Sequence, residues 1–187
     1  HIKDTVSIEL RPKEVEQRLE IGNWEIDTVL GKPGTGGLVT VVERTSRLLL
    51  AAKIEDKTAS AVQAALIRLL EGMECRTLTT DNGKEFARHK EVSAALGVPV
   101  YFAHPHSPWE RGTNEISRRP TNEVSCVGRL DSLSTRTDSF ARSLPKGIDF
   151  REVRNDDVLR IVERLNNRPR KCLGFRTPNE AFFNLPV

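Results

Sequence analysis

Apolar and polar positions along the chain follow two different periods, and the change of period marks out its elements. Trp24-Glu25-Ile26-Asp27-Thr28-Val29-Leu30 opens with the strict alternation of a half-buried strand. The glycine-rich run 31–37 reads as a turn, and Leu38–Glu43 and Leu48–Ile54 follow as two β-rich runs joined by Arg44-Thr45-Ser46-Arg47. Three strands linked this closely predict an antiparallel meander. Thr58–Leu70 then switches to helical spacing, with Thr58 placed to cap its start and Gly72 just beyond its end. Arg76–Thr80 reads as a fourth strand, Glu85–Leu96 as a helix stopped by Gly97, and Val98–Ala103 as a fifth strand. A helix is expected over 156–167. Thr177-Pro178-Asn179-Glu180 carries the cap, proline and glutamate of a helix start, with Phe182 and Phe183 to anchor it.

The order βββαβαβα predicts an α/β domain of ribonuclease H-like architecture. Such a domain has a mixed five-stranded sheet, a meander followed by alternating strands and helices, and helices on both faces. At 187 residues the chain can bury one substantial core. Residues 1–21 are polar and mixed in charge, with a short helix predicted over Pro12–Leu19, and read as a lead-in. The domain proper is expected over 22–187. Within it, residues 116–144 are dominated by Ser, Thr, Arg and Asp and interrupted by Pro120, so that stretch resembles neither a core helix nor a strand. The first residue is His1, so the chain looks like a piece of something longer.

Composition adds little to the fold but narrows the function. No apolar run approaches the roughly 20 residues that cross a bilayer, and no leader pattern opens the chain, so a cytoplasmic protein without membrane partners is expected. Cys75, Cys126 and Cys172 are odd in number and lack a Cys-x-x-Cys pair, which predicts free thiols and argues against zinc. The net charge of +3 is uninformative in bulk. Its distribution is not: Arg160, Arg164, Arg168, Arg170, Lys171 and Arg176 crowd the C-terminal region in the manner of a phosphate-binding patch. A solvated helix face would produce the same run.

Three acids carry the candidate chemistry. Asp27 lies inside a strand pattern, where a carboxylate among apolar neighbours must be hydrated, paired or bound to metal. Asp81 ends the fourth strand before Asn82-Gly83, at the strand end where open sheets place ligand-binding groups, although the turn alone would explain an Asp. Glu115 closes Ser107-Pro108-Trp109-Glu110-Arg111-Gly112-Thr113-Asn114-Glu115, a capped helix start, with 33 residues between it and Asp81. An ordinary Arg111–Glu115 surface pair is the plainer reading of that spacing. Two carboxylates on strands and one on a helix can converge to hold hard divalent cations, which favour oxygen ligands and drive phosphoryl transfer.

These stretches, with Gly22–Thr28, Thr80–Phe86, Tyr101–Glu115 and Leu165–Glu180, resemble the catalytic domain of insertion-sequence transposases of the IS-thirty type, within the wider retroviral-integrase-like group. The resemblance covers most of 7–115 and 145–184. It implies that Asp27, Asp81 and Glu115 form an Asp-Asp-Glu triad holding two magnesium or manganese ions. It further implies strand cleavage at element ends and strand transfer into target DNA at that one site. Lys84, Arg111, Arg168, Arg170 and Lys171 are the expected DNA-binding residues, and a homo-oligomer assembled on DNA, in the bacterial nucleoid, is the expected working form. His104 and His106, either side of Pro105, read as positioning or solvent-facing groups. The family's helix is interrupted here after Glu115, and Pro145-Lys146-Gly147 arrives about twenty residues late. A degenerate remnant that binds DNA without catalysis therefore stands as an alternative, as does a ribonuclease H-like nuclease of another branch.

Overall fold

Six strands form one mixed sheet in the computed structural model, which describes residues 2–105 and 148–184. They are β1 (Val6–Ser7), β2 (Asn23–Leu30), β3 (Gly37–Glu43), β4 (Leu49–Ile54), β5 (Thr77–Thr80) and β6 (Val100–Phe102), in the order β1-β6-β5-β2-β3-β4. The meander is as the alternation predicts: β2 and β3 pair antiparallel with Asp27 opposite Thr40, and β3 and β4 with Thr40 opposite Ala51. β5 then joins β2, and β6 joins β5, both in parallel.

The sheet has one strand more than the five expected. Val6–Ser7, in the segment read as lead-in, pairs in parallel with β6 in the register Val6 to Tyr101 and Ser7 to Phe102. Two residues are too few for any period to show, so pairing with the exposed edge of β6 decides the conformation. Within the predicted Pro12–Leu19 helix, one turn forms as α1 (Glu14–Gln17).

Alternation on the strands sorts residues to two faces, each covered by helix. Trp24, Ile26, Val39, Val41, Ala52 and Leu78 pack under α2 (Ala59–Leu70), through Val62, Leu66 and Leu70, and under Val92 of α3 (His89–Leu96). On the opposite face Leu38, Val42, Leu49 and Ala51 meet Phe150 and the Val158, Val162 and Leu165 stripe of α4 (Asn155–Asn166). Each large apolar side chain so buried contributes about 1.5–3 kcal/mol. Thr58 caps α2 by accepting from the Ala61 amide at 3.2 Å, as its position predicts. The predicted helix over Glu85–Leu96 is divided: Lys84–Phe86 is a 3-10 turn and α3 begins only at His89, after Arg88 leaves helical geometry with φ −95° and ψ 28°.

The C-terminal elements clamp both faces. Asn166, at the end of α4, accepts from the Leu49 amide at 2.9 Å and donates to the Leu49 carbonyl at 2.7 Å. A side-chain amide thereby satisfies the outward amide and carbonyl of Leu49 on the outer edge of β4. Beyond it, α5 (Pro178–Phe182) begins with the predicted capping box, Glu180 N to Thr177 Oγ1 at 3.2 Å and Thr177 N to Glu180 Oε2 at 2.7 Å. Of its two expected anchors only Phe182 serves, its ring 5.6 Å from that of Trp24. Phe183 stays 54% exposed, its ring edge-on to that of Phe182 at 5.0 Å.

Candidate active site

Parallel pairing of β2 with β5 sets the geometry of the two strand acids. Asn23, Trp24 and Glu25 stand opposite Thr77, Leu78 and Thr79. Two residues beyond the last of these pairs come Asp27, within β2, and Asp81, one residue past the end of β5. The period of two keeps Asp27 on the face of Glu25, away from the Trp24–Ile26 core. Asp27 and Asp81 are both half-buried.

The local structure holds each carboxylate in place. Asp81 Oδ1 accepts from the Gly83 amide at 2.9 Å, an Asx turn that orients the side chain as β5 ends. Asn82 donates its amide to the Ala103 carbonyl, fastening the turn to the end of β6. Asp27 Oδ1 accepts from the Thr28 amide at 2.8 Å, and the Asp27 carbonyl accepts from Thr40 Oγ1 at 3.2 Å.

Glu85 links these two supports, and nothing in the sequence pattern marks it for that role. Its side chain is buried, accepting from Thr28 Oγ1 at 3.1 Å and pairing with Lys57 Nζ at 2.7 Å. Thr28 follows Asp27 directly, while the Glu85 carboxylate lies beneath Gly83, where an added Cβ would run into both its oxygens. A side chain at position 83 would have to move that carboxylate away from Thr28 and Lys57, while the φ of Gly83 is an ordinary −62°. One buried carboxylate therefore braces both acid-bearing segments from the far side of the sheet.

A second buried charge cluster adjoins the acids on their own face. Glu25 is 4% exposed and pairs with Arg44, which also reaches Glu16 Oε2 at 3.1 Å. Arg11 pairs with Glu16 and donates to Thr79 Oγ1 at 2.9 Å. Burial pushes the Glu25 carboxyl up from its ordinary value, against the pull of Arg44, Arg18, Arg11 and Arg47. Burial also draws the Arg18 guanidinium down to about 10, with Arg47 and Arg44 adding repulsion. The segment read as lead-in thus closes over the sheet through ion pairs, which apolar periodicity does not register.

The remaining expected site residues fall in several places. Glu115, Arg111 and His106 lie outside the described residues, as does the whole of 116–144. Lys84 is exposed one residue beyond Gly83. Arg168 and Lys171 are exposed, whereas the Arg170 guanidinium turns inward and donates to the Leu165 carbonyl at 3.2 Å. His104 Nε2 stands 3.6 Å from Glu9 Oε1 at the surface. Cys75 is a free thiol, and Cys126 lies outside the described residues. Among the described residues no three His, Cys, Asp or Glu side chains gather as a metal cluster. Asp27 and Asp81 supply two hard oxygen donors, a set suited to magnesium or manganese that needs a further acid to complete it. No helix among the described residues is long and apolar enough to cross a membrane.

This mixed sheet, an antiparallel meander extended by parallel strands and covered by helices on both faces, defines the class: an α/β domain of the ribonuclease H-like kind. The catalytic core domain of BIV integrase has the same fold, with a TM-score of 0.55 and 21% identity over 87% of this chain and 93% of that one. Residues 18–108 match the family described as Integrase core domain. The chain is 39% identical over 181 residues to the transposase for insertion sequence element IS1086 of Cupriavidus metallidurans, covering 95% of this chain and 48% of that protein. It is 37% identical over 184 residues to the transposase for IS4351 of Bacteroides fragilis, covering 97% and 50%. Against the transposase InsI for IS30A of Escherichia coli K12 it is 32% identical over 184 residues, covering 96% and 43%. The chain is thus similar to the integrase core domain over residues 18–108 and to insertion-sequence transposases over nearly its whole length, and it spans about half the length of the curated relatives it matches.

Proposed function

We propose that this chain is the catalytic core of a DNA transposase, cutting and joining DNA strands with Asp27, Asp81 and Glu115 as its acids. The observation that supports the reading is the β2–β5 register, whose last pair, Glu25 with Thr79, lies two residues before each of Asp27 and Asp81, both half-buried and each held by a backbone amide. In cleavage, water would attack phosphorus and the bond to the 3′ oxygen would break, leaving a 3′-hydroxyl. In strand transfer that hydroxyl would attack a target phosphate, forming one phosphodiester bond as another breaks. Magnesium or manganese, two ions, would stabilise charge on the entering and departing oxygens. The carboxylates would hold those ions and orient the entering oxygen in line. Lys84, Arg111, Arg168 and Lys171 are the proposed DNA-binding residues, Arg170 being turned inward to the Leu165 carbonyl, and the working form would be a homo-oligomer on DNA in the bacterial cytoplasm.

Titration calorimetry with manganese on wild type, Asp81→Asn and Glu115→Gln tests the triad. Binding by wild type, with sharp losses in both variants, is the expected result. Unchanged binding in Glu115→Gln would remove that residue from the site. Nicking of supercoiled plasmid in manganese, abolished by Asp81→Asn, tests the chemistry. A preference for RNA–DNA hybrid over DNA would instead favour a nuclease of another branch, and metal-independent DNA binding without cleavage a remnant.

A further inference from the structure

Between α4 and α5 the chain makes a short braced loop that displays an aromatic ring. Phe175 is 69% exposed and has φ +68°, following Gly174 at φ +63°. A bulky residue gains nothing intrinsic from that left-handed conformation, which Gly or Asn adopts more readily. The loop is nevertheless held shut around it. The Phe175 amide donates to the Arg170 carbonyl at 2.9 Å, and the Arg170 amide to the Arg176 carbonyl at 3.0 Å. The Arg170 guanidinium is spent on the Leu165 carbonyl and that of Arg176 on the Glu180 carbonyl. Asn179 Nδ2 donates to Asn167 Oδ1 at 2.8 Å, closing the base of the loop.

Two arginines and two amides therefore form a rigid frame, and the frame's outer surface carries Arg168, Lys171 and the Phe175 ring, all exposed. Neither Arg168 nor Lys171 has an ion-pair partner among the described residues. The frame is anchored through Asn166 on Leu49 and Phe182 on Trp24, at the end of the sheet where β2 begins.

We propose that this loop is a DNA contact in which Phe175 stacks on an unpaired base while Arg168 and Lys171 hold the flanking phosphates. Cations that track a backbone beside an exposed ring match a single strand or an unstacked nucleotide, since every base offers a π-face to an aromatic side chain. Charge argues for this occupant over a second copy of the chain, whose own C-terminal region is basic. The proposal rests on the DNA reading above and adds a surface apart from the acids.

The test is fluorescence-anisotropy binding of three oligonucleotides: a single strand, a full duplex, and a duplex with one unpaired base. Phe175→Asn should weaken binding to the first and third about tenfold or more, change the full duplex little, and melt at or above the wild-type temperature. Phe175→Tyr should restore tight binding. Plasmid nicking at saturating DNA should keep its turnover in Phe175→Asn, the loss falling on KM. Equal binding of all three oligonucleotides by wild type and Phe175→Asn would overturn the proposal, as would a variant that binds normally but loses self-association. No binding of any oligonucleotide by wild type at low salt would overturn the DNA reading itself.

Discussion

Thr28 donates its hydroxyl to Glu85 at 3.1 Å, and that bond ties the segment carrying Asp27 to the segment carrying Asp81. The link runs through the far side of the sheet, where Lys57 completes the carboxylate's partners at 2.7 Å. A metal site gains affinity when its ligands are held before the ion arrives, so a brace of this kind acts on binding without touching the ion.

Removal of the brace therefore has two separable consequences. Glu85→Ala should cost about 1–3 kcal/mol by leaving Thr28 Oγ1 and Lys57 without their acceptor. It should also weaken manganese binding about tenfold, within the range that supporting partners of metal ligands show. Glu85→Gln keeps an acceptor for Thr28 and should retain most of the affinity. Chemical denaturation measures the first effect and titration calorimetry the second. A stability loss with unchanged manganese affinity would confine Glu85 to the fold.

As proposed metal ligands, Asp27 and Asp81 should matter to stability chiefly when metal is bound. Asp27→Asn and Asp81→Asn should each melt close to the wild-type temperature in chelator, because the amide oxygen can still accept from Thr28 or Gly83. In millimolar manganese the three proteins should separate. A ligand at a hundred times its Kd stabilises by about 2.7 kcal/mol, and only wild type should show that gain. Thermal melts with chelator and with manganese make the comparison. Equal metal-induced shifts in all three proteins would remove the pair from metal binding.

Much of this architecture was legible because it rests on local rules. The meander, the Thr58 and Thr177 caps and the turn at Asp81-Asn82-Gly83 follow from alternation and capping chemistry, which act over a few residues. The β2–β5 register that precedes Asp27 and Asp81 belongs to parallel pairing between residues 54 apart, which no local rule displays. Three features escaped for related reasons. β1 is too short for a period to show. Glu85 reads as a helix residue until Thr28 and Lys57 are seen against it. Arg170 reads as a surface cation, although its guanidinium serves the Leu165 carbonyl.

The Glu25–Arg44 pair offers a direct test of buried-charge energetics on the active face. Removing one partner of a buried pair leaves an uncompensated charge, at a cost of about 3–5 kcal/mol. Arg44→Met should be this damaging, because Glu25 is 4% exposed and would lose its direct contact. Glu25→Gln should cost less, since Arg44 keeps Glu16 at 3.1 Å. The double replacement by Met should recover much of the Arg44→Met loss, apolar packing standing in for the pair. Urea denaturation of the three variants reads out the cycle. Additive single effects would show that the two side chains are not coupled.

Cys75 provides a pH-dependent readout of folding. It packs against the core beneath α2, and burial alone pushes its thiol from an ordinary 9.0 up to about 12. At pH 8 only about one folded molecule in ten thousand would carry the thiolate, so alkylation of Cys75 should be very slow until urea unfolds the chain. The same shift fixes a sign for stability. Between about pH 9 and 12 the unfolded thiol has lost its proton while the folded one retains it, so unfolding releases a proton and stability falls as pH rises. Cys75→Ala should flatten that part of the pH–stability curve relative to wild type. Peptide mapping after timed alkylation, and melts of both proteins from pH 8 to 11, supply the measurements. Rapid labelling of Cys75 in the folded protein would show that the thiol is open to solvent.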